Sequence, residues 1–540
     1  MAYVRKVRTG SGAVAVQVVT KAGGRLRVLE HVGSAHTDAE LGVLLERAGE
    51  VLRGGQGVLD VQVPARVARV DKVADWTGRA QPSGPAQGGE VAASGRTRGT
   101  ASRLLYEAIG GVYDQLGFDA VDDLVFRDLV IARIVEPTSK LDAGRVLADL
   151  GAQAVSYSTI QRHLRAVIDQ DYRDTIASAC FAHAQASGDI SLILYDVTTL
   201  YFEAENEDDL RKVGFSKERR VDPQVVVGLL VDRAGFPLEI GCFEGNKAET
   251  KTLLPIIRQF RDRHQLEDMV VVADAGMLSG QNLAELDQEH LKVIVGSRAA
   301  KAPGDLEHHF RWHGDAFTDG QIIDTITPRH ASSKVHDDSR RTEPIWDPAS
   351  TPASWRAIWS YSRKRAVRDG HTLTAQENRA RAIIAGEKPV KHTRFVRSTP
   401  AGRSLDEASL ARARSLVGLK GYVCNIPAHL MGAPEVISSY HDLWNVEASF
   451  RLSKTDLRAR PMFHRTQDAI EAHLTLVFAA LATSREMQRR TGKSIQYLIK
   501  QLRPLRTSTI VINGTSTDFP PETSQEHQAI LAQLQASPGH

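Results

Sequence analysis

The stretch SLILYDVTTLYFE, residues 191–203, decides the fold. Leu192, Ile193 and Leu194 form the apolar run of a buried strand. The run then meets a carboxylate, Asp196, followed by the hydroxyls of Thr198 and Thr199. DMVVVADAG, residues 268–276, repeats the pattern with Asp274. Between them, QVVVGLLVDRAGFPLEIGCFEG (224–245) reads as two strands joined by the turn DRAG, a hairpin. ETKTLLPIIRQFRDRH (249–264) and GQNLAELDQEH (280–290) have helical periodicity, and KVIVGS (292–297) is a further strand. The order strand, strand, strand, helix, strand, helix, strand predicts a mixed sheet: an antiparallel meander followed by parallel crossover units.

If the two acid-bearing strands are parallel neighbours, Asp196 and Asp274 emerge on one sheet edge. Two adjacent carboxylates are costly unless something positive lies between them, and a hard divalent cation such as Mg²⁺ fills that role. For either aspartate alone, a strand-end turn or a helix cap is the commoner role. The third acid lies in YHDLWNVEASFRLSKTDLRARPMFHR, residues 440–465. On a helix, Glu447, Arg451, Lys454 and Arg458 fall on one stripe at about 100° per residue, with Leu443, Val446, Phe450 and Leu457 as an apolar stripe beside it. The alternative is a solvated face with an i,i+4 pair between Glu447 and Arg451. An acid among bases, beside Tyr440, suits a metal-bound carboxylate flanked by phosphate-gripping side chains.

A chain of 540 residues exceeds one hydrophobic core, so several domains are expected. Its 42% hydrophobic and 25% charged residues are ordinary for a globular protein. The three cysteines form no CxxC pair, which argues against a disulfide framework and points to a reducing cytoplasm. No secretory h-region is visible, and HLTLVFAALATS (473–484) is too short to span a bilayer and reads as a buried helix. A net charge of +3 leaves nucleic-acid binding to local patches. No Gly-rich Walker loop appears, and His308, His309 and His313 lack the flanking pattern of a zinc site. Glu203, Asp222 and Glu244 are reserve acids near the sheet.

Residues 1–77 mix β-like runs (AVAVQVVT, RLRVLEHV, GVLDVQV) with the helical DAELGVLLERAGEVL. Residues 78–101, rich in Gly, Pro, Ala and Ser, read as a linker. Residues 102–188 are helical, and TSKLDAGRVLADLG with SYSTIQRHLRAVI is compatible with a helix-turn-helix capped by Ser158 or Thr159, with Gln161, Arg162 and Arg165 outward. Any helical hairpin would read the same. The core spans 189–299 and resumes at 436–500, residues 300–435 interrupt it, and 501–540 is a polar tail.

LYDVTTLYFE, QVVVGLLVDRAGFPLEIGCFEGNKAETKTL, VVVADAGMLS and LWNVEASFRLSKTDLRARPMFHR resemble, in order, the core segments of insertion-sequence transposases of the DDE type. The resemblance implies an α/β, ribonuclease-H-like five-stranded mixed sheet flanked by helices, with an insertion domain before the Glu helix. It implies metal binding and catalysis by Asp196, Asp274 and Glu447, and two Mg²⁺ ions, with Mn²⁺ as substitute. The branch that cuts through DNA hairpins carries a Tyr-x2-Arg-x3-Glu-x6-Lys signature, matched here by Tyr440, Glu447 and Lys454; its Arg position is Leu443. Tyr440, Arg451, Lys454 and Arg458 are the expected DNA contacts. The implied activity is cleavage and transfer of double-stranded DNA at terminal inverted repeats and target sites, by a homodimer in the bacterial cytoplasm, without a membrane. A metal-dependent nuclease and a non-catalytic repressor are the alternatives. Trp312, Trp346, Trp355 and Trp359 invite a role in holding a flipped base, with core packing as the default.

Overall fold

The structure, a computed structural model, describes residues 2–8, 14–22, 25–35, 95–153, 155–188, 190–203, 206–215, 222–277, 280–330, 341–389, 393–399, 402–460, 462, 464–512 and 515–536. The chain divides into two compact units, Met1–Ala92 and Ala93–His540. In the first, β1 (Ala2–Arg8), β2 (Val14–Ala22) and β3 (Arg25–Ala35) form an antiparallel sheet with β2 central. Val16, Val18 and Val19 of β2 are buried. The expected helix at 38–52 and the expected third run at 57–63 lie outside the described residues.

The second unit opens with β4 (Gly95–Ala101), so the interval read as a linker ends in a strand. Five helices follow: α1 (Arg103–Gln115), α2 (Leu124–Val135), α3 (Ala143–Leu150), α4 (Tyr157–Asp169) and α5 (Tyr172–Ser187). Gly151, at φ 79°, ends α3 in the left-handed conformation that glycine adopts freely. The cap of α4 is Ser156 rather than Ser158 or Thr159: its extended backbone lets its hydroxyl accept from the Thr159 N–H at 3.2 Å. Both α3 and α4 pack on α2.

Next come β5 (Leu192–Tyr201), β6 (Gln224–Asp232), β7 (Pro237–Glu244), α6 (Leu253–His264), β8 (Val270–Ala273), α7 (Gly280–Gln288) and β9 (Lys292–Ser297). As expected, β5, β6 and β7 form an antiparallel meander and β5, β8 and β9 are parallel. Eight of the nine β6 residues are buried, as both-face coverage of a sheet demands.

The interval after β9 holds the short α8 (Ala302–Asp305) and α9 (Glu307–His313), then β10 (Ile322–Pro328), β11 (Ser354–Tyr361), α10 (Arg363–Ile384), β12 (Val396–Thr399), β13 (Gly402–Leu405), α11 (Glu407–Ser415) and β14 (Leu419–Cys424). Three of these strands join the sheet, whose order is β10-β11-β14-β9-β8-β5-β6-β7. The sheet is therefore eight strands wide where five were expected, because β14 pairs with the open edge of β9. α10, α11 and the β12–β13 hairpin form a satellite around Leu373, Ala380, Phe395 and Leu410, and a second cluster, Ala302, Leu306, Ala357, Trp359 and Leu419, lies between α8 and the added strands.

The chain continues through α12 (Ala433–His441), α13 (Trp444–Thr455), α14 (Gln467–Thr491) and α15 (Ile495–Leu502). HLTLVFAALATS is buried within α14, and among the described residues no helix is long and apolar enough to cross a membrane. The segment read as a polar tail is ordered as β15 (Thr507–Ile512), β16 (Thr515–Phe519) and α16 (Gln525–Gln535), and β15 pairs with both β4 and β16.

Candidate active site

Asp196 does not end its strand: β5 runs on to Tyr201. What ends beside it is β8. The parallel pairing of β5 with β8 runs from Leu192–Val270 to Tyr195–Ala273, and the next positions are Asp196 and Asp274. Beyond Tyr195, β6 is the strand paired with β5, with Asp196 opposite Leu229, and near the end of β5 the Tyr201 carbonyl accepts from the Met462 N–H at 3.2 Å. Burial falls at that point, from four fully buried residues to four half-buried ones. Asp196 thus stands where the sheet narrows and opens to solvent. Its Oδ1 accepts from the Val197 N–H at 2.8 Å.

Asp274 is exposed at the end of β8 and accepts from the Tyr440 hydroxyl at 2.6 Å. Tyr440, expected as a DNA contact, is only 8% exposed. Its ring packs edge-on against Tyr422, and its hydroxyl approaches Gly296 so closely that a Cβ there would lie 2.5 Å from it. Burial, then the bond to Asp274, push the phenol pKa up. Tyr440 is therefore a positioning residue for Asp274, placed by α12, which crosses β8, β9 and β14.

The segment read as one helix from 440 is two, α12 and α13. α13 packs on β5 and β6. Its Val446 and Phe450 are buried, and Leu443 is half-buried just before it. Two polar bonds set its position on the β6–β7 turn: Asn445 Nδ2 donates to the Arg233 carbonyl and the Ser449 hydroxyl to the Gly235 carbonyl, both at 2.8 Å. Asn445 and Ser449, four apart, share the inner face of the helix, so Glu447 between them turns outward. Glu447 is exposed and makes no ion pair among the described residues, so the Glu447–Arg451 pair of a solvated face is not formed.

Asp196 and Glu447 line one cavity of about 820 Å³, together with Arg451, Lys454, Lys247 and Glu249. Arg451 and Lys454 are thus where the helical stripe put them. Arg458 is not: α13 stops at Thr455, and Arg458 lies past it in a left-handed conformation (φ 45°), lining a neighbouring cavity. Lys247 lies in the loop after β7 and Glu249 in the 3-10 turn Glu249–Lys251 leading into α6; the helical periodicity of 249–264 marks the helix but not which polar residue reaches the cavity. Among the described residues no three His, Cys, Asp or Glu side chains come close enough together to hold a metal ion. Asp196 and Asp274 share a sheet edge, and Asp196 and Glu447 a cavity, but the three are not drawn into one cage. Mutual repulsion of carboxylates opposes that gathering.

His308, His309, Trp346, Trp355 and Trp359 belong to packing, while Trp312 and His313 are exposed. His308 and His309 are buried on α9, His309 stacked on Phe317 at 4.3 Å. Trp346, Trp355 and Trp359 are 3–4% exposed or less, and Trp359 donates to Asp305 at 3.1 Å. Trp312 is half-exposed. Among the described residues the most exposed tryptophan, at 61%, is Trp444, three residues before Glu447.

An α/β protein whose sheet edge offers acids to a cavity lined with bases is suited to phosphate chemistry. The chain belongs to the DDE transposase family: residues 187–482, more than half of its length, match the family model described as a transposase DDE domain. It is a DNA transposase by that membership. No curated protein matches it. A solved structure, the piggyBac transposase synaptic complex with hairpin DNA, aligns with 74% of this chain and 70% of its own at 8% identity and a TM-score of 0.35. At that level the likeness carries no argument.

Proposed function

We propose that the chain cuts DNA and joins the resulting 3′-hydroxyl ends to target DNA by in-line phosphoryl transfer at the edge formed by Asp196 and Asp274, with Glu447 completing the site. One observation carries this reading: the acids follow directly after paired positions of two parallel strands, and the first shares its cavity with Glu447. The five strands β7-β6-β5-β8-β9, running inward from the β7 edge, we read as a ribonuclease-H-like core to which β14, β11 and β10 are added. The donors are all carboxylate oxygens, the set a hard divalent cation takes, and two of the three acids, Asp196 and Glu447, line an open cavity. Asp196, Asp274 and Glu447 would hold Mg²⁺, two ions in the full reading with Mn²⁺ as substitute, which supplies charge neutralisation at the attacking and leaving oxygens.

The chain's own groups bind and orient. Arg451 and Lys454, one and two turns past Glu447, hold phosphates in the cavity, and Lys247 reaches it from the opposite wall. Tyr440 fixes the Asp274 carboxylate. Of the Tyr-x2-Arg-x3-Glu-x6-Lys signature, Leu443 packs against the core and contributes no phosphate contact, so Arg451 takes that part. The helical region 102–188 binds element ends, and two copies pair them.

Divalent-dependent nicking of supercoiled plasmid and joining of labelled 3′ ends test the reading. Asp196→Asn is expected to lower both by at least about 10²-fold, the scale of losing a group that stabilises transition-state charge. Nicking by Asp196→Asn at the wild-type rate would overturn the site. Nicking without joining would leave a nuclease.

A further inference from the structure

A second cavity, of about 570 Å³, is lined by Arg133, Lys140, Arg458, Arg460, His464 and His473, with hydroxyl and amide groups between them and no carboxylate. Several other arginines of this chain with little exposure pair with acids: Arg356 with Asp324, Arg490 with Glu486 and Arg263 with Glu239. Here the acceptors are imidazoles and, for Arg133, also the Leu457 carbonyl at 3.5 Å. Lys140 Nζ donates to His464 Nε2 at 2.7 Å, and Arg133 Nη2 lies 3.4 Å from His473 Nδ1. The two rings lie 4.8 Å apart.

Positive groups held side by side as Arg133 and Lys140 are, with no acid paired to them among the described residues, are expensive, and the chain bears that cost in several ways. Loss of water, then the neighbouring Arg133, push the Lys140 ammonium down to about 7. Burial pushes Arg133 down to about 10. Burial, then Lys140 and Arg133, push His464 down to about 3, so its ring is the neutral acceptor Lys140 needs. Arg458 adds a left-handed backbone, strain that persists only where the surroundings impose it. An anion entering the cavity would offset the charge cost at Arg133 and Lys140 together.

The cavity is also placed for one substrate. Arg460 lines it and lines the cavity of Asp196 and Glu447 as well. We propose that Arg133, Lys140 and Arg458 form a binding subsite for a backbone phosphate of the DNA strand that runs on from the catalytic cavity past Arg460. This rests on the DNA-cleaving reading above. Tyr157 and Gln161 of α4 line the same cavity, so the helical region meets the strand here as well.

Fluorescence anisotropy of the full chain with a labelled 30-base-pair duplex, at several salt concentrations, tests the proposal. Lys140→Met keeps the apolar stem, and Arg458→Ala removes an exposed side chain, so a folding failure of one leaves the other informative. Each is expected to weaken binding about five- to twenty-fold at 0.1 M salt and to reduce the log–log salt slope by about 0.9, the signature of one lost phosphate contact. Lys140→Arg is expected to retain affinity. Unchanged affinity and slope in both variants overturn the proposal. Stabilisation of the wild type by inorganic phosphate, with unchanged duplex binding in both variants, overturns it in favour of a free-anion site. Plasmid nicking by the wild type is scored separately: its absence, with duplex binding still weakened in Lys140→Met, removes the catalytic reading and leaves the phosphate subsite.

Discussion

Tyr440 is the side chain whose surroundings most change its meaning. A tyrosine seven residues before an acid and fourteen before a lysine fits a DNA-gripping signature, yet its ring is buried and its hydroxyl is spent on Asp274. Burial and that bond keep the phenol protonated throughout the neutral range, so it is a donor and Asp274 the acceptor. Lys420, 4.9 Å from the ring centre, adds positive charge on the same side. Removing the hydroxyl separates the two roles. A hydrogen bond to a charged group contributes about 1.5–3 kcal/mol, roughly a tenfold or larger effect when it orients a reacting group. Tyr440→Phe is expected to slow nicking by about tenfold and to raise the divalent-ion concentration needed for half-maximal rate, with duplex affinity within about twofold of wild type. A DNA-contacting tyrosine gives the reverse: weaker duplex binding and an unaltered ion requirement.

At the scale of elements, the site depends on how one hairpin turn seats one helix. Gly235, at φ 87°, closes the β6–β7 turn in a conformation side chains resist, and its carbonyl accepts from Ser449 of α13 and from Arg485 of α14 at 3.1 Å. A Cβ on Gly235 would meet the Asn445 backbone oxygen at 3.1 Å and its Cβ at 3.0 Å. Gly235→Ala is expected to reduce unfolding free energy by roughly 2 kcal/mol, read from the urea midpoint, and to displace Glu447, so that nicking falls further than stability explains. Nicking that tracks only the folded fraction would uncouple the turn from the site. The turn itself was legible, since DRAG between two apolar runs leaves few other readings, and so were β5 and β8, whose aspartates stand at a change of chemistry. The break between α12 and α13 was not. One straight helix would have to aim Tyr440 at β8 and Glu447 at the cavity beside β5, and nothing in the local periodicity reports that tertiary demand. The same holds for β10, β11 and β14: SWRAIWSY (354–361) is an apolar run, but its place in the sheet depends on β14, about sixty residues further on, and on β14 finding β9. Glu249 opens the stretch whose period announces α6, but that period reports the apolar face of the helix, not which polar residue reaches the cavity.

The whole second unit is tied together by groups that sequence segmentation assigns to different regions. β4 and β15 pair across about four hundred residues, and Arg503 donates to Glu136 and Asp149, joining the last segment to the first helices. The centre of this tie is Glu486 on α14, wholly buried. It accepts from Arg489 and Arg490 at 2.7 Å and lies 3.3 Å from His183 of α5, while Arg490 also donates to the Leu534 and Ala536 carbonyls at the end of α16. Burial alone would raise its carboxyl pKa; the bonds from Arg489, His183 and Arg490 outweigh it and hold the group well below its ordinary 4.5. Its contribution to stability is therefore fully present above pH 4.5, where the unfolded carboxyl is also ionised, and is lost as pH falls toward the lower folded value. Glu486→Gln leaves two arginines without their charge partner, a change of about 3 kcal/mol at neutral pH. It also removes one titrating group from the acid limb. The thermal midpoint of the variant is expected to fall most against wild type at pH 7 and to approach it below pH 4. A constant offset across that range would place the acid sensitivity elsewhere and leave Glu486 as packing alone.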